Sequence, residues 1–424
     1  MAHSLIENAT GKVTSFTVHI SDADLEQLGL LLRTTPIAEP TYETNLPDGD
    51  RKFGMRHDWL TKAHELHINT FDHFHMNIDD ELCDFNVHFV AMFSKRQDAV
   101  PVLLLHGWPG SFLEFLPMLD KLRKKYGSVD LPYHLVVPSL PGYAFSSPPP
   151  IDKEFRVEDV ARLMNQLMLR LGFGAGYMVQ GGDVGSKVAR VMAAKYDECK
   201  DEPERLEHEV TDAEHNGLRR AREFLQIGSS YAIQHATKPG TIGLVLSSNP
   251  VALLAWIGDK FLAWTEEDPP ISLILESVSL YWLTRCAVSC LWPYRIVSES
   301  PSISSAFAHG HYPKFYTPGL NGNPHNMSEY KIPEIKPFGY SYYPYELYPV
   351  PKAWAATTGN LTFFRAHDKG GHFAAIEQTE TFLEDLEEFV KESRTAVLSR
   401  APKVMLSKHS NFSRAWHMNA PTIY

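Results

Sequence analysis

The sequence predicts an α/β fold: a doubly wound, mostly parallel sheet, with a helical cap inserted into it. Three observations carry this. Val102-Leu103-Leu104-Leu105 is an unbroken apolar run, the pattern of a parallel strand buried on both faces. Tyr177-Met178-Val179 is a second short apolar run, followed by Gly181-Gly182-Asp183-Val184-Gly185 and a helical stretch from Ser186 to Tyr196. Strand and helix patterns alternate around these runs, stop between about 197 and 330, and resume afterwards.

Taken in order, Asp22 to Leu32 and Arg56 to Thr70 read as helices and Asn86 to Phe93 as a strand, within an otherwise mixed region from 15 to 100. Val102–Leu105 leads into His106-Gly107-Trp108-Pro109-Gly110. His134 to Val137 is the next strand, closed by the turn Pro138 to Tyr143. Val157 to Leu171 is an amphipathic helix with Val160, Leu163, Met164, Leu167 and Leu171 on one face, ended by Gly172. In the cap, Asn249-Pro250 starts a helix through Phe261, and Ile271 to Leu291 reads as one long apolar helix. Lys336 to Tyr342 and Leu361 to Arg365 are strand-like, and Thr379 to Lys391 is a closing amphipathic helix. Residues 396 to 424 show no periodicity and read as a tail.

Composition narrows the function. The chain has 424 residues, 44% of them hydrophobic, enough for a large core. Its net charge of -11, without a Lys/Arg block, argues against nucleic acid and anionic membrane as partners. Cys83, Cys199, Cys286 and Cys290 have no framework spacing, which suits a reducing compartment. The polar start lacks the apolar core of a signal peptide, and no uncharged apolar run approaches the roughly 20 residues that span a bilayer. The expectation is a soluble, cytoplasmic protein.

The chemistry centres on Asp183. A strand turning sharply into a helix pushes the middle residue of the turn outward, as at the nucleophile elbow of α/β-hydrolases, and the flanking glycines are expected because side chains would not fit. A carboxylate in that place suits attack on a saturated carbon, giving an ester that water must then open. Taken alone, the Gly-x-Asp-x-Gly string is more often an ordinary loop than an elbow. Three further pieces stand in the order such a fold requires. The loop after Val102–Leu105 would supply the Trp108 N–H to an oxyanion hole, together with that of Val184, and His106 would shape this loop. An ordinary Gly-Pro turn is the competing reading. His372, in Gly370-Gly371-His372-Phe373, follows the last strand and is the candidate base. Glu346 follows the penultimate strand and would orient that histidine, with Asp368 as the alternative. No His/Asp/Glu cluster has metal-ligand spacing, so neither metal nor cofactor is expected.

With these motifs in place, the chain resembles the microsomal type of epoxide hydrolase, in a soluble form. The motifs are HGWPGSFLEF (His106 to Phe115), GGDVGS (Gly181 to Ser186), ATKPGTIG (Ala236 to Gly243), SLYWLT (Ser279 to Thr284), YPYEL (Tyr343 to Leu347) and GGHFAA (Gly370 to Ala375). The resemblance covers about residues 15 to 395 and implies an α/β-hydrolase fold. Its parts are an N-terminal wrapping segment (1–98), a first core part (99–200), a helical cap (201–330), a second core part (331–395) and a tail (396–424). It implies two cap tyrosines on the epoxide oxygen, matched by motif at Tyr231 and Tyr294. A phenol can protonate a developing alkoxide yet stay neutral at rest. The implied reaction is hydrolysis of a small hydrophobic epoxide to a vicinal diol through an ester on Asp183, without a membrane anchor. A haloalkane dehalogenase shares the aspartate elbow, but Val184 and the two tyrosines argue against it. A non-catalytic protein of the same fold is the remaining alternative. The assembly state is open, a homodimer included.

One stretch departs from the family pattern. Lys195 to Phe224 is densely charged, without an apolar run, where another buried strand is expected. Asp183 and Tyr231 stand 48 positions apart, roughly a dozen short, about one strand plus a turn. The expectation is a sheet lacking one core strand beside the elbow strand, which leaves unpaired backbone and a gap in the core unless the chain repairs the sheet another way; without such repair the chain is unstable or inactive. Thr211 and Glu214 have the spacing of a helix capping box.

Overall fold

The structure is a computed structural model that describes residues 10–35, 71–127, 129–199, 211–298 and 324–398. The helix expected at Arg56 to Thr70 lies outside them, as does the tail except 396–398, which continue the last helix.

The chain enters through β1 (Val13–Phe16), α1 (Asp22–Thr34), β2 (His73–Asp79) and β3 (Asp84–Met92). β4 (Val100–Leu105), α2 (Leu116–Lys125), β5 (Tyr133–Pro138), α3 (Val157–Arg170), β6 (Met178–Gly181) and α4 (Asp183–Lys195) follow in strict alternation. Among the described residues the cap holds α5 (Asp212–Glu223), α6 (Ser230–Thr237), α7 (Pro239–Ser248), α8 (Pro250–Ala263) and α9 (Ile271–Leu283), then a 3₁₀ segment Ser289–Ser298. The chain ends with β7 (Pro337–Tyr342), α10 (Lys352–Ala356), β8 (Asn360–Ala366), α11 (Ala374–Glu377) and α12 (Thr379–Leu398).

Six strands form one mixed sheet in the order β1-β2-β3-β5-β4-β6. β4 runs parallel to β5 and β6, while β3 pairs antiparallel with β5 through Val90↔Val137. Along β4 the buried side chains alternate between two cores. Leu103 and Leu105 pack in the core that holds α3 and α4, and Val102 and Leu104 in the core that holds α2 and α12. Burial on both faces is why this strand reads as a continuous apolar run.

Two local expectations change. β1 and β2 extend the sheet within the region that read as mixed. β2 carries His73 and His75, paired in register with Val90 and His88, and His73 and His88 are buried with Nδ1 of one 2.9 Å from Nε2 of the other. Buried histidines hide the alternation that apolar residues would show. The long helix expected from Ile271 to Leu291 stops at Leu283. Arg285 adopts φ +56, its N–H donates to Trp282 O, and the Cys286 N–H reaches back to Tyr281 O. This is a Schellman turn with arginine in the left-handed position that glycine usually fills, so the stop signal is missing from the sequence. Cys286 and Cys290 are both buried just beyond it.

Beyond β6 the sheet is interrupted. β7 and β8 form a separate parallel pair, and the outer side of β6 meets, among the described residues, only a single parallel bridge, Tyr177↔Cys199. Polar side chains join the two sheets. Lys336 is buried and its Nζ donates to Ala193 O and Tyr196 O, carbonyls at the end of α4 that the helix cannot pair itself. Arg190, also buried, donates to Thr358 O and Oγ1 and stacks over Phe338 at 5.0 Å. Lys336→Met is therefore expected to cost about 2–4 kcal/mol, because it strands buried carbonyls. An unchanged urea midpoint would refute that role. The capping box at the start of α5 forms, and Glu214 also accepts from Lys352 N, so this charged helix packs its Gly217 against Tyr342.

No single described helix is long and apolar enough to cross a membrane; α7 and α8 pass together by composition but meet at 115°.

Candidate active site

Asp183 sits at φ +47, a left-handed conformation that costs a non-glycine residue energy and marks a strained, over-determined turn. The neighbouring glycines make the turn sterically feasible. A Cβ on Gly181 would lie 2.3 Å from Gly185 O, and one on Gly185 would lie 2.3 Å from Leu105 O. Gly182 differs from the expectation: a Cβ there would meet nothing within 4 Å, so packing does not demand glycine at that position. Gly107, on the facing loop, does need to lack a side chain, because a Cβ would fall 2.2 Å from Asp183 Oδ1.

The carboxylate of Asp183 lies between two elements. Its Oδ1 accepts from the Trp108 N–H at 2.9 Å, and its Oδ2 lies 3.6 Å from His372 Nε2. Val184 is buried in the first turn of α4, where backbone N–H groups have no partner within the helix. His106 is pinned in the loop: Nε2 accepts from Leu140 N and Nδ1 faces Gly107 O. Its burial lowers its pKa to about 4, so it is a neutral spacer.

On the other side, His372 Nδ1 is 2.7 Å from Glu346 Oε1, which also accepts from Leu347 N. Asp368 is exposed, and the partner of His372 Nδ1 is Glu346. Burial acts to lower the His372 pKa, but the charge of Glu346, the hydrogen bond to it, and the charges of Asp183 and Glu114 outweigh burial and hold it at about 9. Glu346 is held below the usual carboxylate range by the same pairing, against the opposing effect of its own burial.

The cap closes over the elbow with aromatic rings. Tyr231 stacks on Trp108 at 5.1 Å, and Tyr294 meets the same indole edge-on at 5.8 Å. The two tyrosine rings lie 5.9 Å apart and their hydroxyls share a hydrogen bond. Burial foremost, and the negative charge of Asp183, raise both phenol pKa values well above 10. The structure thus brings Asp183, His372, Glu346, Trp108, Val184, Tyr231 and Tyr294 to the C-terminal end of β4 and β6, the side where open α/β sheets place their ligands.

Residues 13–115 match the family described as epoxide hydrolase N terminus, and residues 100–271 match the alpha/beta hydrolase fold. The solved Aspergillus niger epoxide hydrolase is 43% identical, superposes with a TM-score of 0.77, and covers 91% of this chain and 98% of its own. The chain belongs to the epoxide hydrolases, and it is an enzyme of that family. A Dothistroma septosporum protein of the same family is 40% identical over 412 residues, 91% of this chain and 92% of that protein. Epoxide hydrolase 1 of Sus scrofa, of the microsomal type, is 27% identical over 89% of this chain and 88% of its own. The juvenile hormone epoxide hydrolase of Bombyx mori, at 24% identity and a TM-score of 0.71 over 92% of this chain and 96% of its own, shares the fold.

Several residues of the hydrolase site lack a sequence signal. The His372 loop is clasped by the cap. Trp264 O accepts from His372 N, Glu266 Oε2 from Gly370 N, and Glu377 accepts from both Glu266 N and Gly371 N. Glu266 and Glu377 are two among 51 acidic residues. His235, beneath the tyrosines, accepts from Trp256 Nε1 at its Nε2 and is therefore protonated at Nδ1. A small cavity of about 20 Å³ lies against Asp183, His372, Trp108 and Phe373, and Glu114 also faces it. Only its place within the motif His106 to Phe115 could have singled out Glu114.

Proposed function

We propose that this epoxide hydrolase opens its substrate by covalent catalysis, with Asp183 as nucleophile. A carboxylate oxygen of Asp183 attacks an epoxide carbon, the carbon–oxygen bond breaks, and Tyr231 and Tyr294 give the departing oxygen a proton. The product of this step is an ester on Asp183. Water then loses a proton to His372 as its oxygen bonds to the Asp183 carbonyl carbon. The N–H groups of Trp108 and Val184 hold the resulting oxyanion. Collapse breaks the ester, frees a vicinal diol and restores the carboxylate. The proton that His372 holds at rest passes to the tyrosinate left by the first step, and the proton taken from water restores the imidazolium.

The observation that carries this reading is the position of the Asp183 carboxylate, on a left-handed elbow between the Trp108 N–H and the Glu346-paired imidazole, beneath the two cap phenols. Electrostatics favour the order of events. At rest, neighbouring carboxylates keep His372 protonated, near a pKa of 9. Esterification neutralises Asp183, removes one of these charges and lowers the imidazole pKa, so the base is released when its water must be activated. The ester-hydrolysis rate is therefore expected to rise with pH through a single ionisation between the ordinary histidine value and 9, then level off. A rate independent of pH from 6 to 9 would contradict it.

The aromatic enclosure of Trp108, Trp264, Tyr231 and Tyr294 supports a hydrophobic aromatic or aliphatic epoxide. The direct test is diol formation from styrene oxide by the purified chain, with thermal unfolding recorded in parallel. The diol is expected. A cooperatively folded protein that makes none from this or an aliphatic epoxide would sink the reading.

A further inference from the structure

Glu114 is an ionisable residue in an apolar setting. It lies in a short 3₁₀ turn, Phe112–Phe115, whose other three residues are buried, and Ser111 caps that turn by accepting from Leu113 N. The side chain folds back on Gly110. A Cβ there would fall 1.3 Å from Glu114 Oε1, so the missing side chain of Gly110 makes room for this carboxyl. Gly110 is fixed from the cap, because Tyr281 donates to its carbonyl at 2.8 Å. One contact of the Glu114 carboxyl is the Ser111 N–H, and the group also faces the cavity of about 20 Å³ shared with Asp183 and His372. That volume holds about one water molecule. Burial foremost, with the charge of Asp183, pushes the Glu114 pKa up to about 8 against the opposing charge of His372. An acid facing a one-water space, between a nucleophile and a base, has no role in the catalytic cycle of Asp183 and His372 as it stands.

We propose that Glu114 is a further catalytic residue, which holds the hydrolytic water by accepting one of its O–H groups while the other points to His372 Nε2. The inference rests on the ester reading. Held at both hydrogens, the water presents a lone pair to the Asp183 carbonyl carbon. His372 takes one proton as the new carbon–oxygen bond forms, and Glu114 keeps its own protonation state. Charged or neutral, a carboxyl keeps an acceptor oxygen, so glutamine can replace it and an apolar residue cannot.

The test is rapid quenching in the pre-steady state, with styrene oxide in excess of enzyme, read by intact mass, for the wild type, Glu114→Gln, Glu114→Leu and His372→Gln. Ester hydrolysis in Glu114→Leu is expected to slow about 10- to 100-fold, so that the ester accumulates, while its formation changes less than about threefold. Glu114→Gln is expected to stay close to wild type. Should Glu114→Leu not fold, Glu114→Ala removes the same acceptor and leaves room for the water. Wild-type hydrolysis in the apolar variant, or equal slowing of both steps in all Glu114 variants, would overturn the role. If His372→Gln builds up ester and the apolar Glu114 variant does not, the Glu114 role alone falls. If His372→Gln builds none, the ester reading falls and takes this role with it.

Discussion

Asp183→Asn is expected to give a folded protein that makes no measurable diol. Asparagine tolerates the left-handed conformation that residue 183 adopts at φ +47 better than most side chains. Its carbonyl can still accept from the Trp108 N–H, the contact that Oδ1 makes at 2.9 Å. What it lacks is the negative oxygen that must attack carbon. Loss of a covalent nucleophile removes the pathway rather than weakening it, so turnover of styrene oxide should fall by about 10⁴ or more. The unfolding midpoint should stay within about 2 °C of wild type, since neither packing nor hydrogen bonding is lost. Residual diol above one hundredth of the wild-type rate would show that another group opens the epoxide.

His372→Gln is expected to separate the two halves of the reaction. Ring opening needs Asp183 and the phenols, whereas ester hydrolysis needs a base that Gln cannot supply. The variant should take up one equivalent of epoxide, gain the mass of the substrate, and then stall. Steady-state turnover should fall by about 10³ or more, in the range that general-base catalysis contributes. Glutamine can still donate toward Glu346, so that half-buried carboxylate, which His372 meets at 2.7 Å, is not abandoned. Normal diol production by this variant would assign the base elsewhere.

The legible parts of the sequence are those where one physical demand dominates. β4 declares itself because burial on both faces leaves only apolar residues, and the elbow declares itself because Gly181 and Gly185 have backbone oxygens where a Cβ would go. Gly172, at φ +94, ends α3 as a left-handed glycine should. The illegible parts are those where an unusual residue does a common job. Arg285 takes the glycine position after α9, His73 and His88 fill a strand interior, and Lys336 and Arg190 join β7 and β8 to α4 where a ladder of backbone bonds would be expected. The interruption beside β6 is legible as a missing apolar run, but the side chains that bridge it are not. Tyr231 and Tyr294 carry no signal by composition among 18 tyrosines, and family motifs alone point to them. Glu266, Glu377 and Glu114 acquire meaning only from what folding brings beside them.

The most direct test of covalent catalysis is a single turnover of styrene oxide in ¹⁸O-labelled water, with enzyme in excess. If Asp183 supplies the new oxygen, the first diol formed carries no label, and the label appears in the peptide that contains Asp183. If water attacks the epoxide directly, the first diol carries the label and the peptide none, and Asp183 is not the nucleophile.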